Sequence, residues 1–259
     1  HHPPVTAYRI ENTKHGIYLE GFNSQKASFS RTINVRQIGR AVLSIPAFGD
    51  TYLISLPNLH LERLIFGSPF VELNDNSYIT SSTGFTAKIY YSGKGWVSGK
   101  RNSFTAILHQ TGNEKEILYS VSGQWSKAFE IREGIKGDIV ETYDAEASPI
   151  TPLSVAPIEQ QSPLESRRAW QKVAQGIREG NMTIVAEEKR KIEEEQRALR
   201  VKEKENGEDW QSRYFSLVES DPIVEQLGGS IGMTSDACKR GGIWKFNAKK
   251  ASQYTLEDS

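Results

Sequence analysis

From Thr6 to about Tyr143 the chain reads as strands joined by turns. Tyr8-Arg-Ile and Ile17-Tyr-Leu-Glu-Gly flank the polar turn Asn12-Thr-Lys-His-Gly16, which predicts a hairpin. Further strands are predicted at Ala27–Ser30, Gly39–Ile45, Thr51–Leu56, Leu59–Phe66, Phe85–Tyr91, Ser103–His109 and Glu116–Trp125. The links are short and rich in Gly, Asn, Lys and Ser, such as Ser92-Gly-Lys-Gly and Thr111-Gly-Asn-Glu-Lys, which suits an antiparallel meander. Several of these segments are apolar on both alternating faces. A sheet covered on one side and facing a cavity or core on the other produces that pattern. Consecutive antiparallel strands in this number must otherwise manage exposed edges, so a closed or nearly closed barrel is the expected shape.

Composition changes after Asp144. Ala147-Ser-Pro-Ile-Thr-Pro-Leu-Ser-Val-Ala-Pro157 is a Pro-rich connector, expected to run extended. The stretch from Pro163 to Ile177 reads as an amphipathic helix. Leu164, Arg167, Arg168, Ala169, Trp170 and Val173 supply its packing face, and Gly176 or Gly180 ends it. Asn181-Met-Thr is a cap region for a second, strongly charged helix that Gly207 closes. Trp210-Gln-Ser-Arg-Tyr-Phe215 reads as an aromatic anchor, and the tail from Gly228 as loop-rich, with Ile243-Trp-Lys-Phe246 as one short ordered piece. The expected division is a β-barrel core over residues 1–160 and a helical subdomain over 161–259.

The charged run Val185–Lys204 lacks Gly and Pro and is rich in helix formers. At about 100° per residue, Val185, Ile192 and Leu199 fall in one apolar stripe, with Lys189, Glu193, Arg197 and Arg200 on its flank. Glu187, Glu188, Glu194, Glu195 and Glu205 are expected to point away. A solvated surface helix laced with i,i+4 ion pairs is the ordinary reading of such a composition. The sorting of charge by face is what points to recognition.

Balanced charge, 32 basic against 32 acidic residues in 259, excludes a general nucleic-acid binder, so any anion site is local. The single cysteine, Cys238, excludes an internal disulfide and a zinc cluster and fits a reducing compartment. No apolar run approaches the roughly 20 residues of a membrane span. These features predict a soluble cytoplasmic protein without cofactor or metal. There is no G-x-S-x-G, H-E-x-x-H or P-loop, which argues against an enzyme; paired glycosidase carboxylates meet only in a fold. Gly93, Gly95 and Gly99 do not precede a helix and read as a hairpin loop.

What remains is anion recognition. The chain opens on His1-His2-Pro3-Pro4 without an initiator Met, as a fragment or processed chain does, and two leading histidines are also what a purification tag leaves behind. Pro3-Pro4 fixes the backbone after the imidazoles in an extended form. Lys189 and Arg197, two helical turns apart, suit phosphate oxygens, Arg as a planar fork and Lys as a compact charge. Glu193, midway between, repels phosphate, so its role is to orient Lys189 and Arg197 or to accept bonds from sugar hydroxyls.

His1-His2-Pro3-Pro4-Val5-Thr6-Ala7-Tyr8 resembles the fingerprint of the oxysterol-binding-protein-related lipid transfer family. The resemblance continues through Asn23–Phe29, Ser68–Leu73, Ser77–Gly84, Ser98–Phe104, Ser122–Trp125, Pro163–Trp170, Glu195–Arg200 and Trp210–Phe215, and is nearest the short fungal members without a pleckstrin-homology domain. It implies an antiparallel β-barrel around one lipid in a tunnel. The ligands it implies are phosphatidylinositol 4-phosphate and, in many members, an exchanged sterol. By position, His1 and His2 match the pair on the 4-phosphate, and Lys189, Glu193 and Arg197 match the helix triad around the headgroup. Asn23 and Gln37 match polar residues of the tunnel in sterol-binding members, where they serve a buried hydroxyl directly or through water; as residues alone they are ordinary strand polar positions. Lys26, near Asn23, matches the tunnel mouth. The family's N-terminal lid has no counterpart here, so the expected barrel is incomplete at its start. The function implied is exchange of phosphatidylinositol 4-phosphate and a sterol between membranes by a non-enzymatic monomer that touches membranes transiently. A phosphoinositide sensor or scaffold, or an exchanger of phosphatidylserine for phosphoinositide, stands as the alternative.

Overall fold

The computed structural model describes residues 5–29, 32–62, 68–93, 100–208, 210–238 and 241–257. His1, His2 and the glycine loop's Gly95 and Gly99 lie outside the described residues. The chain divides into two compact units. One comprises residues 1–149 and 214–248, and the other residues 150–213 and 249–259.

The first unit is built on a 12-stranded antiparallel sheet. Its main path runs β1 (Val5–Asn12), β2 (Ile17–Phe29), β3 (Ile33–Ile45), β4 (Asp50–Ser55), β7 (Asn76–Ser81), β8 (Phe85–Tyr91), β9 (Ser103–Gln110), β10 (Ile117–Gln124), β11 (Ala128–Glu133) and β12 (Ile139–Asp144). A side branch, β5 (Asn58–Glu62) and β6 (Phe70–Asn74), pairs off the early half of β3. The antiparallel β-barrel-type architecture is therefore present. The sheet does not close, since β1 and β12 have no strand on their outer sides among the described residues. Where two short strands were expected before and after Gly21, β2 is one continuous ribbon, because every residue from Ile17 to Phe29 finds a partner on β1 or β3. Strands β6, β11 and β12 carry no alternation strong enough to announce them; pairing with a neighbour creates them.

Register assigns the faces. Phe22 stands opposite Arg40, Val42 opposite Leu53, Leu53 opposite Thr80 and Thr80 opposite Thr86, so these residues share one side. The last part of the unit packs there. It comprises β13 (Phe215–Val218), α4 (Pro222–Leu227), α5 (Ser235–Cys238) and β14 (Ile243–Phe246), with β13 paired to β14. Val42, Leu53 and Val224 form one buried cluster, and Phe22, Cys238 and Ile243 another. The tail expected to be loop-rich thus contains helices, and the short ordered piece expected at Ile243–Phe246 is a strand. Asp221 caps α4, its carboxylate accepting from the Ile223 N–H at 3.1 Å, and Pro222 occupies the first helical position.

Burial raises the Cys238 thiol pKa, with Asp221 adding to the rise and Arg40 opposing it. A thiol kept protonated and out of solvent is a poor nucleophile. Cys238 is therefore expected to resist a small alkylating reagent in the native protein and to react once the unit unfolds, as read by mass spectrometry across a urea series. Rapid labelling in buffer alone would show that the 235–238 helix is not seated on the sheet.

The opposite face is apolar along most of its width. Ala41, Ile54, Ile79, Ala87 and Leu108 follow one another across the strands, with Ile89, Ala106, Val121 and Ile131 in a second row. Phe104, Phe129 and Tyr143 extend it toward β12, their rings 5.5 and 5.2 Å apart. Gly39 lies on this side opposite Asn23 with φ +138°, and a Cβ there would come within 2.0 Å of the Phe22 carbonyl oxygen.

The second unit carries the helices α1 (Ser166–Ala169), α2 (Gln171–Arg178) and α3 (Met182–Asn206) and most of α6 (Ala248–Glu257). The single helix expected from Pro163 breaks at Trp170. Its buried residues are Val173 and Gly176, whereas Leu164 and Trp170 are exposed. Val173 is buried as expected, and the rest of the contact falls on Gly176, which has no side chain for an apolar pattern to register: a Cβ there would sit 3.0 Å from Val185. Trp210, expected as an anchor, is 64% exposed. The packing is carried by Phe215, edge-to-face with Phe246 in the first unit.

Candidate functional site

On the apolar face of the sheet the polar side chains of Asn23 and Gln37 meet. Register makes them diagonal neighbours on one side, since Asn23 pairs with Gly39 and Gln37 lies two residues back along β3. The Asn23 Nδ2 donates to Gln37 Oε1 at 2.6 Å, and Gln37 Nε2 donates to the Pro57 carbonyl at 2.6 Å. The Gln37 backbone N–H donates to Asn58 Oδ1 at 3.3 Å, and Asn58 Nδ2 donates to Asp75 Oδ2 at 2.8 Å. Asn23 Oδ1 is buried and has no hydrogen-bond partner. A buried acceptor without a partner is costly unless something donates to it. Asn74 Oδ1 is the second such atom among the described residues.

Sequence reasoning singled out Asn23 and Gln37, and the structure brings them together. It gave no sign of Pro57 and Asn58: Pro57 acts through a backbone carbonyl, and Asn58 lies in Leu56-Pro-Asn-Leu59, where no spacing marks it. Lys26 stands exposed near the end of β2, opposite Arg36 and on the alternate side from Asn23.

The charged helix α3 starts at an Asn181 cap, whose side chain accepts from the Ile184 N–H at 3.2 Å, and ends on Gly207 at φ +68°. Ile184, Val185, Glu188 and Ile192 are half-buried, facing α2. Glu188 therefore differs from the outward position expected of it: it sits about 60° from Val185 around the helix, within the packing stripe, and pairs with Lys172 at 3.8 Å and Lys191 at 2.5 Å. The ridge beside the stripe is as the periodicity predicts. Glu193 lies between Lys189 and Arg197, 3.7 Å from the first and 3.5 Å from the second, and all three are exposed. One carboxylate thus holds two cations on the same face and leaves part of each free for an external anion.

Among the described residues no helix is long and apolar enough to cross a membrane.

Residues 1–254 match the oxysterol-binding protein family. The chain is 42% identical over 233 residues to Protein KES1 of Mycosarcoma maydis, covering 88% of this chain and 60% of that protein. It is 37% identical over 257 residues to the probable transporter efuK of Hormonema carpetanum, covering 98% of this chain and 37% of the relative. It is also similar to the human oxysterol-binding protein-related protein 11, 31% identical over 218 residues, covering 83% of this chain and 28% of that protein. The chain thus spans 60% or less of the length of these relatives. Among solved structures, the Osh1 ORD domain in complex with ergosterol superposes with a TM-score of 0.70 at 17% identity, covering 99% of this chain and 64% of that one. The Osh3 ORD in complex with PI(4)P from Saccharomyces cerevisiae gives 0.68 at 18% identity, covering 99% and 65%.

Proposed function

Because this chain belongs to the oxysterol-binding protein family, we propose that it is the lipid-binding part of a carrier that exchanges a sterol for phosphatidylinositol 4-phosphate between membranes. The observation that carries the reading is the amide pair Asn23 and Gln37, with its orphaned acceptor, on a sheet face that is apolar along most of its width. A sterol offers that combination: a rigid apolar body with one hydroxyl at its end. Moving it from bilayer to protein exchanges one apolar environment for another, so the net cost is small and transfer reversible. Solved relatives of the same fold hold ergosterol, cholesterol and PI(4)P.

In this reading the phosphorylated headgroup is bound by His1, His2, Lys189 and Arg197, with Glu193 orienting the two helix cations; Lys26, on the other side of the sheet from Asn23, takes no part. Charge-assisted hydrogen bonds suit that task. The protein binds and releases lipid without chemical turnover, works in the cytoplasm and meets membranes transiently. The test uses the full-length protein with donor vesicles containing labelled sterol and acceptor vesicles containing phosphatidylinositol 4-phosphate. Sterol is expected to move to the acceptors faster when the phosphoinositide is there, and phosphoinositide to move the other way. Binding to phosphoinositide vesicles without movement of either label would instead identify a sensor or scaffold.

A further inference from the structure

We propose that Ser162 is the acceptor of a proline-directed Ser/Thr kinase, and that Arg213 and Arg168 hold the phosphate it receives. Three of the chain's four Ser-Pro or Thr-Pro steps fall close together, at Ser148-Pro149, Thr151-Pro152 and Ser162-Pro163. The backbone at Gln161 is extended, with φ −78° and ψ 146°, and a residue before proline is biased the same way. An enzyme that reads the proline after its acceptor takes the chain in that form.

Their surroundings separate the three steps. Ser148 Oγ donates to the Asp144 carbonyl at 2.7 Å, and the Asp144 carboxylate accepts from the Glu146 and Ala147 N–H groups at 2.9 and 3.2 Å. A phosphate on Ser148 meets acidic groups. Thr151 lies exposed in the connector. Ser162 faces cations. Arg213 Nη1, from 51 positions away, donates to its Oγ at 3.3 Å, and Arg168 Nη1 donates to the carbonyl of Gln161, one peptide bond before it. Gln161 is buried and its Nε2 donates to the Ala156 carbonyl at 2.7 Å, which fixes the approach to Ser162. The hydroxyl itself is lightly held. Its bonds with Arg213 and with the Leu164 N–H, at 3.3 and 3.5 Å, are near the limit of hydrogen-bond length, and Pro163 and Leu164 are exposed.

In the reaction Ser162 Oγ bonds to the γ-phosphorus of ATP as the bond to the β–γ bridging oxygen breaks. The nucleoside diphosphate leaves, and the hydroxyl proton passes to the general base of the kinase. The product sets a charge of about −2 and three acceptor oxygens where a planar guanidinium already points. Glu165 opposes this, since its carboxylate accepts from the Ser162 N–H at 3.0 Å. Two guanidiniums against one carboxylate leave the balance with the phosphate. Ser162 precedes α1 and Arg213 follows α3, so the phosphate fastens together the two ends of the helical segment. Nothing in this depends on the lipid reading, so either can fail alone.

The experiment uses the full-length protein in two forms: treated with ATP and a cyclin-dependent kinase, or produced with phosphoserine incorporated at position 162. In the first, peptide mass spectrometry is expected to find phosphate on Ser162, and Ser162→Ala to lose it. In the second, phosphorus NMR is expected to place the second ionisation at least about half a pH unit below the value of about 6 usual for phosphoserine, because the guanidiniums favour the dianion. Arg213→Gln is expected to return most of that shift. Arg213→Lys, which keeps the charge, is expected to retain part of it and so separates loss of the cation from a loosened fold. Phosphate confined to Ser148 and Thr151 after exhaustive treatment overturns Ser162 as the acceptor. A phosphoserine at 162 that titrates as the free amino acid does overturns the clamp.

Discussion

Asp221→Ala is expected to destabilise the sheet unit by about 3–5 kcal/mol, the cost of stranding a buried charge. Arg40 and Asp221 are each 1% exposed and 181 positions apart in the chain. Asp221 Oδ2 receives both Arg40 Nε, at 2.6 Å, and Nη2, while its Oδ1 caps α4. Arg40 Nη1 reaches the Glu20 carbonyl at 3.2 Å, and the Glu20 carboxylate stays 3.8 Å from Nη2. With Asp221 gone, that more distant carboxylate is the remaining counter-charge. The cap of α4 is lost as well, a further contribution of about 1 kcal/mol. Asp221→Asn separates the two effects, since an asparagine still caps but no longer neutralises the guanidinium; it is expected to lie much closer to the alanine variant than to the unaltered protein. Replacing both partners, Arg40→Met with Asp221→Leu, is expected to recover most of the loss, because the penalty comes from the unpaired charge and not from the absence of the pair. Urea unfolding, followed by Cys238 alkylation, measures all three. A loss under 1 kcal/mol in Asp221→Ala would mean that water reaches Arg40.

This ion pair also marks where the sequence becomes opaque. Nothing near Arg40 or Asp221 announces the other, because pairing across most of the chain follows from the fold and from no local pattern. The long strands were legible where branched apolar residues cluster, as from Ala41 to Ile45, while the first half of β3, before Gly39, was not. Short strands such as β6 and β12 were not, because their neighbours supply what propensity lacks. In α3 the 3.6-residue period placed Lys189, Glu193 and Arg197 on one ridge correctly. It misplaced Glu188, a long side chain whose stem is buried against α2 while its carboxylate reaches Lys172 and Lys191. Asn23 and Gln37 were visible as positions and not as a pair. Their partner at Pro57 is a main-chain atom, to which sequence patterns are blind.

Lys189→Ala and Arg197→Ala are each expected to weaken phosphatidylinositol 4-phosphate extraction from vesicles by about 1.5–3 kcal/mol, roughly ten- to more than hundredfold, while leaving sterol extraction near its original rate. The size follows from what each variant removes. Against Glu193 alone, exposed i,i+4 pairs at 3.7 and 3.5 Å contribute only about 0.3–0.5 kcal/mol, so helix stability changes little. Against a phosphate the same cations form charge-assisted bonds whose loss leaves an uncompensated dianion. Glu193→Gln is the informative third variant. It removes the group that holds the two cations together and also a negative charge that repels the ligand. The two effects oppose, so its change is expected to be smaller than that of either cation. Because the ridge is exposed, extraction is also expected to weaken as ionic strength rises through the range where the Debye length shrinks below about 10 Å. If both alanine variants extract phosphoinositide at the original rate, α3 is a solvated, ion-paired surface helix and the headgroup is held elsewhere.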